Sequence, residues 1–489
     1  MEQTKRSWVF KTTLLVCVDC IVCFTFCLYP AGAQENDPRY KPRERNLLID
    51  IPLTIVEDTA VNLFGNVFWR LFGPDSEVAY FTADSIRANL NPRVWDFELG
   101  QGGDIFLVNQ FLHPYAGGIY FASARSNNFG FYESILSSAF GSFSWEALGE
   151  AASPAMSDVI NTVGGGIALG EILHRLYLEL DKTGGGGKVA ATVLSPTDRI
   201  TAALRGYGPA PGPGRIYDAS FAFGFSWSNA QFLEQEHVDT TWHKPSVFIG
   251  ADLVYSDPFI QHSKTPFDHF EFQTMLNVSS PLMYNFNFIS DGYLASWLLL
   301  DDEKNQMSGG LSLHFDDYIV DKNLDMNNGT ENVSFNANSV DYTLKWRHRT
   351  KNNFAFSFKF HLGFTPWAVA DYNGGINRDD YNCYLLGVNT KIAMQLQDLR
   401  NEEKPGQSVT LNLRLYDTWS IPKTLVFTVN AIFFESELNW VFPLTRRISL
   451  YAADSFSILH FNMEQEADAE FPNVSRWYNC ARLGLCISL

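Results

Sequence analysis

Hydrophobic and polar residues alternate along many segments in the second half of the chain. In the clearest of them, every second residue from Phe354 to Phe360 is a phenylalanine, whereas Lys359 and His361 take intervening positions. Successive residues of a β-strand point to opposite faces, so one face of this segment would carry four phenyl rings and the other small or charged groups. The pattern predicts strands that separate an apolar environment from a polar one.

Similar segments recur from residue 215 to residue 489, with polar breaks between them. Examples are Phe221–Trp227, Tyr284–Phe288, Val409–Leu415 and Ala481–Leu489. They amount to roughly ten to fourteen strands, and because closed outer-membrane barrels usually have an even number, we expect about 12. A soluble β-sandwich or jelly roll also alternates. The aromatic faces, opposed by Asn, Ser, Lys, Arg and His, favour a mainly β fold, a transmembrane antiparallel β-barrel with a wet lumen.

Residues 112–206 show helical spacing instead. One helix is expected over residues 133–150. A second begins at Pro154, with Ser153 as its N-cap, and ends at the glycines 184–187. A shorter helix follows Ser195, whose capped start has an acid, Asp198, three residues later. Residues 34–111 are rich in Asn, Asp and Pro, and we expect them to be irregular. The helical segment is expected to plug or cap the lumen of the barrel.

The first 33 residues resemble an export signal. Lys5, Arg6 and Lys11 precede the apolar stretch 12–29, and an A-x-A cleavage site follows at residues 31–33. An uncleaved anchor helix and a lipoprotein are alternatives. They are disfavoured because the apolar stretch is short and none of its cysteines follows a small residue. A cleaved signal and a barrel together predict location in the bacterial outer membrane.

Charge and cysteine content exclude several classes of function. The net charge of −18 argues against nucleic acid as a partner. Only Cys383, Cys480 and Cys486 follow the signal, with no CxxC pair, so neither a metal site nor a cofactor is expected. Aromatic residues make up 15% of the chain, a content that the lipid face and interfacial girdles of a barrel can hold.

The densest set of polar and glycine residues lies between Trp95 and Arg175. It contains Asn109-Gln110, the pattern HPYxGxxYFxxxR ending at Arg125, Ser144-Trp145-Glu146, SPxxSD ending at Asp158, three glycines at 164–166, and GExxHR ending at Arg175. In this order the motifs resemble the DUF3943 family of uncharacterised bacterial proteins over about residues 90–180. The resemblance implies an exported envelope protein and supplies no established catalytic residues.

Besides a ligand-binding or gating site, two interpretations of this set are open. In the first, His113, Glu171 and His174 form an acid–base or metal site, with Ser144 as a nucleophile. In the second, which we favour, the polar groups form a buried network, because buried polar groups need partners. Gly166 and Gly170 would let the barrel wall or a neighbouring helix approach closely. The expected network residues are Asn109, Gln110, Tyr115, Arg125, Trp145, Glu146, Glu150, Asp158 and Arg175.

Three functions follow from these alternatives. The preferred one is a non-enzymatic outer-membrane barrel with a helical plug and a channel, transport or envelope-structural role. A lipid-modifying enzyme using the His/Glu set and a surface adhesin using acidic loops near Asp321 and Asp371 are the others. The expected partners are outer-membrane lipid, the barrel-assembly machinery and an unknown small-molecule or lipid ligand.

Overall fold

The computed structural model describes most of the chain after the expected signal. The described residues are 45–72, 79–95, 108–183, 185–205, 215–234, 238–259, 265–279, 284–321, 334–373, 380–399, 406–421, 428–464 and 473–488. The expected export signal lies outside them, as do the connections 322–333 and 374–379, which belong to the acidic loops considered for adhesion.

Seven α-helices precede the strands in the described residues, and together they form the helical region, residues 47–205. They are α1 (Leu47–Phe72), α2 (Ala83–Asn89), α3 (His113–Ser126), α4 (Phe131–Ser144), α5 (Met156–Thr183), α6 (Gly185–Leu194) and α7 (Pro196–Arg205), with π-helical turns at Val108–Leu112 and Trp145–Gly149. None of these described helices is both long enough and apolar enough to cross a membrane.

The prediction that residues 34–111 are irregular is wrong for residues 47–72. This segment forms the 26-residue helix α1, because its polar residues recur on one face, as at Asp50, Asp58 and Asn62, and its remaining positions are apolar. The helix α5 begins at Met156, slightly later than predicted. Here Glu146 accepts the Ala155 backbone N–H (3.0 Å), so a distant carboxylate caps the start of the helix.

Twelve strands form one closed antiparallel barrel, as the alternation predicts. They are β1 (Ile216–Glu234), β2 (Val238–Tyr255), β3 (Phe270–Ser279), β4 (Tyr284–Asp301), β5 (Asn305–Asp321), β6 (Phe335–Arg349), β7 (Phe354–Asn373), β8 (Asp380–Asp398), β9 (Ser408–Ser420), β10 (Thr428–Pro443), β11 (Ile448–Glu464) and β12 (Val474–Ser488). Each strand pairs with its neighbours in sequence, and β1 pairs with β12 to close the ring.

The two faces of the strands differ as predicted. On β1 the outward positions 221, 223, 225 and 227 are exposed aromatic residues, with Phe225 76% exposed, whereas Ala222, Ser226 and Ser228 are buried on the inner face. Lys359 of β7 points inward and bonds to Glu271 of β3. The three cysteines in the described strands form no disulfide bond.

The helical region packs against the outside of the barrel. Phe315 of β5 contacts Gly165 of α5, and its neighbours His314 and Asp316 point the opposite way. Asp316 bonds to Lys391 on β8 (2.6 Å), across the lumen, so Phe315 faces outward. On β7, Trp367 donates its indole N–H to Asn161 of α5 (2.6 Å). The helices therefore lie outside the strand ring, and the prediction that they plug the lumen is wrong.

The lumen is filled by side chains of the barrel itself. Phe335 and Phe433 stack with ring centroids 4.8 Å apart, and Tyr318 and Tyr416 pack against them. These four rings are the centre of the apolar lumen cluster, in which buried side chains from nine strands meet. Next to it, Tyr416 of β9 bonds to Asp316 of β5. Side chains of strands as far apart as β5 and β10 thus touch inside the ring, which leaves no wide passage among the described residues.

Candidate functional site

The polar interior of the helical region is the first candidate site. Its helices expose apolar side chains and bury polar ones, the reverse of a water-soluble bundle. Buried polar residues come from α1, α3, α4, α5 and α7, and many of their hydrogen bonds join different helices. They include Glu57, Asp58, Asn62, Ser123, Asn127, Ser137, Asp158, Thr162, Glu171, His174, Arg175, Asp198 and Thr201.

Glu171 of α5 is the centre of a buried ion cluster. Arg125 of α3 donates to both of its oxygens (Nε to Oε2, 2.7 Å; Nη2 to Oε1, 3.2 Å), and Arg175 donates Nε to Oε1 (2.7 Å). Burial alone would raise the pKa of Glu171, but the two guanidinium groups lower it to about 2. Arg175 also donates to the Pro266 carbonyl (2.8 Å), so this cluster ties the helices to the β2–β3 connection.

His174 belongs to a different group, although it is only three residues from Glu171. Its Nδ1 lies 2.8 Å from Asp198 Oδ1, and Ser195 donates its hydroxyl to Asp198 Oδ2 (2.6 Å). The serine therefore bonds to the carboxylate and not to the imidazole, unlike the arrangement of a Ser-His-Asp triad. The group fixes the start of α7 against α5.

His113 lies near the other end of α5. Its Nδ1 is 3.0 Å from Thr162 Oγ1, and its Nε2 is 3.9 Å from Asp158. Thr162 and Glu171 are nine residues apart on one helix, which corresponds to about 13 Å of axial rise. The structure therefore does not bring His113 together with Glu171 and His174.

The hydroxyl of Ser144, the nucleophile of the first interpretation, makes hydrogen bonds that hold helices together. Its hydroxyl donates to the Gly141 carbonyl (3.0 Å) and accepts from the Asn62 amide (3.0 Å). Both contacts hold the end of α4 against α1. Neither contact offers a base that would remove the hydroxyl proton.

The other predicted network residues fall in several places. Asn109 and Gln110 are buried in the first π-helical turn, and Tyr115 stacks on Phe111 (6.5 Å between centroids). Trp145, Glu146 and Glu150 lie in or next to the second turn, where Asn89 of α2 donates to the backbone carbonyls of Glu146 and Glu150 (3.3 Å each). Burial, reinforced by the charges of Glu150 and Asp158, raises the pKa of Glu146 well above its usual range.

Two adjacent acids of α1 were not predicted as part of the site. Glu57 accepts hydrogen bonds from Thr201 and Asn127 (2.7 Å each), and Asp58 accepts from Ser123 (2.5 Å) and Ser137 (2.6 Å). Burial raises the pKa of Glu57 to about 8 and that of Asp58 to about 7. The signal in the sequence was this pair of acids within an otherwise apolar stretch.

These raised pKa values predict that the helical region loses stability as the pH rises. The unfolded carboxyls titrate near pH 4, so the folded state holds its protons more tightly, and the stabilisation is lost between about pH 4 and pH 8. Thermal unfolding of the purified protein, followed by circular dichroism, should give a lower Tm at pH 9 than at pH 5. The double variant E57Q/D58N should show a smaller decrease than the wild type.

The exposed Glu133 provides the control for this prediction, because it pairs with Arg45 at the surface. E133Q should leave the decrease of Tm with pH unchanged. An equal decrease in the wild type and in E57Q/D58N would contradict the assignment of the titration to the α1 carboxyls.

The lumen contains two further groups of ionisable residues. In one, Lys345 Nζ lies 2.8 Å from Glu271, 2.8 Å from His269 and 3.1 Å from Asp291. In the other, His314, Asp341 and His361 place their ligand atoms within 4.8 Å of one another, and Lys391 Nζ lies 3.7 Å from Asp341. Both groups have the donor atoms of a metal site. A lysine ammonium already supplies the positive charge in each, so they are best described as ion clusters.

Comparison with solved structures gives matches of low similarity. They include the beta domain of the Bordetella autotransporter BrkA (12% identity, 55% of this chain and 98% of that one, TM-score 0.23), the translocator domain of the autotransporter NalP from Neisseria meningitidis (8%, 61% and 96%, 0.25) and the Pseudomonas putida toluene transporter TodX (9%, 57% and 89%, 0.23). Likenesses this low carry no information about activity. No curated protein matches the chain.

The helical region carries the one sequence match. The family described as "Domain of unknown function (DUF3943)" matches residues 100–197, a range that includes α3 to α6. This confirms the resemblance that the motifs indicated over residues 90–180, for this part of the chain.

Proposed function

We propose that the chain is an integral outer-membrane barrel with an envelope-structural role and a closed lumen. The observation that carries the proposal is the contact across the lumen between Tyr318 of β5 and Phe433 of β10 (ring centroids 4.6 Å), two strands that lie five positions apart in the ring of twelve. The exposed aromatic and aliphatic outer face supports placement in a membrane. A barrel that closes itself in this way anchors the helical region without conducting ions.

Current recordings in planar bilayers test this proposal. The wild-type protein should give no discrete conductance steps. The variant Y318A/F335A/F433A should give them, because it removes three of the rings that fill the apolar lumen cluster. Steps of a stable size from the wild type would contradict the proposal.

Two controls separate lumen effects from other effects. F225A removes a ring of similar size from the outer face and should give no conductance steps in the bilayer. Deletion of residues 112–205 should also give no conductance steps, because the helices lie outside the ring. Heat-modifiable gel mobility confirms for each variant that the barrel has folded.

A gated channel is the second candidate, and a cavity inside the barrel favours it. The cavity has a volume of about 350 Å³ and is lined by charged residues, among them Asp218, Asp252, Glu271 and Arg414. Such a lining would suit a small hydrated ion or polar solute. Wild-type steps that appear only under an applied voltage or with a solute would favour the channel over a purely structural role.

An enzyme that uses His113, Glu171 and His174 together is not supported, because the three side chains belong to separate hydrogen-bonded groups. A role of the acidic loops in adhesion remains a prediction from the sequence.

A further inference from the structure

The outward surface of the helical region is unusually apolar. On α1, eleven large hydrophobic side chains are exposed, and Leu48 is 88% and Phe64 71% exposed. The polar residues of the same helix, such as Asp50, Asp58 and Asn62, are buried against α3, α4 and α7. A helix in contact with water shows the opposite arrangement.

Other helices continue this apolar surface. Leu136, Phe140 and Phe143 of α4 are exposed, and so are Val193 of α6 and Leu204 of α7. An exposed apolar surface that extends over several elements is typical of contact with a membrane or a partner. Polar groups in the interior and apolar groups outside are the arrangement that lipid requires of a helical protein.

The position of the helices on the barrel indicates what contacts their outward surface. They cover Phe315, Ile319 and Trp367 on the outer face, whereas Leu311 and Leu362 on the same strands remain exposed. The helices thus occupy part of the apolar belt of the barrel. Their own outward side continues that belt around the molecule.

From this continuity we infer that membrane lipid covers the outward surface of α1 and α4, so that barrel and helical region share one lipid boundary. The inference rests on the proposed membrane location of the barrel. The helices take the place of lipid on one side of β5 to β7. Their own outward apolar face then contacts the acyl chains of the lipid. Their buried hydrogen bonds keep the polar groups of Glu57, Asp58 and Glu171 away from that lipid.

Fluorescence quenching in lipid vesicles tests the inference. In a full-length chain with its cysteines replaced by alanine, single cysteines are introduced as F64C on α1, F225C on the outer face of β1 and R87C on α2. Arg87 is a polar control, because its side chain is 81% exposed. Each variant is labelled with an environment-sensitive dye in phosphatidylethanolamine–phosphatidylglycerol vesicles. Nitroxide-labelled phospholipid and aqueous iodide then serve as quenchers.

The expected result is that the nitroxide lipid quenches F64C as strongly as F225C and several-fold more than R87C, whereas iodide quenches only R87C. Quenching of F225C but not of F64C by the lipid overturns the inference and leaves the membrane barrel intact. In that case, access of iodide to F64C would indicate water, and protection from both quenchers would indicate a protein partner or a second copy. Absence of lipid quenching at F225C contradicts the proposed function itself.

Discussion

Replacing Glu171 with alanine is expected to destabilise the helical region by about 3–5 kcal/mol, because it leaves two buried arginines without their counter-charge. Glu171 is fully buried and accepts from both Arg125 and Arg175. The conservative variant E171Q keeps the volume and a hydrogen-bond acceptor and should lose less. Hydrogen exchange of the α3 and α5 amides measures the change.

The same cluster has a pH dependence of its own. Because the pKa of Glu171 is lowered to about 2 in the folded state, its stabilisation is present above about pH 4 and is lost as the pH falls through about 2. E133A provides the control, since Glu133 pairs with Arg45 at the surface, where an ion pair contributes about 0–1 kcal/mol. Equal exchange in E171A and E133A would contradict a stabilising role of the cluster.

The second large effect is expected at Gly166, where α5 crosses α3. A Cβ at this position would lie 2.6 Å from the carbonyl carbon of Gly117, and backbone cannot move aside as a side chain can. G166V should therefore separate the two helices and cost about 3 kcal/mol or more. Hydrogen exchange measures this effect and should be faster for the amides of both helices. The barrel should still show heat-modifiable gel mobility.

Gly186 of α6 is the matched control for this substitution. Nothing lies within 4 Å of a Cβ placed there, so G186A should be neutral or stabilise by up to about 1 kcal/mol through its better helix propensity. If G166V were tolerated as well as G186A, the close crossing of α3 and α5 would not be essential to the fold.

The barrel could be predicted from the sequence because strand alternation is a local signal. Phe225 and Lys359 lie on the faces that their positions indicate, and the number of strands agrees. The close approach at Gly166 and Gly170 was also predictable, and the partner is the neighbouring helix α3. These features need only spacing along the chain.

The position of the helices could not be predicted in the same way. A helix with one polar and one apolar face fits a wet lumen if the polar side faces the wall, and it fits lipid if the polar side faces other helices. The sequence of α1 and α5 is compatible with both. Phe335, Tyr416 and Phe433 fill the lumen, and this filling decides that the helices lie outside. Contacts between distant strands leave no local signal in the sequence.

The site shows the same division between local and distant information. Glu171 and Arg175 are four residues apart, a spacing at which side chains of a helix can pair, and the structure contains this pair. The partners Arg125, Asp198 and Asp58 come from other helices, so the groups around Glu171, His174 and Ser123 could not be separated from one another in advance.

The contact between Asn161 and Trp367 joins residues 206 positions apart, which sets the order of assembly. The helical region is synthesised first, but its docking surface on β5 to β7 exists only after more than half of the barrel has paired. Loop closure over such a distance is slow. During that interval the apolar helix faces have neither wall nor bilayer to cover them, and aggregation competes with folding.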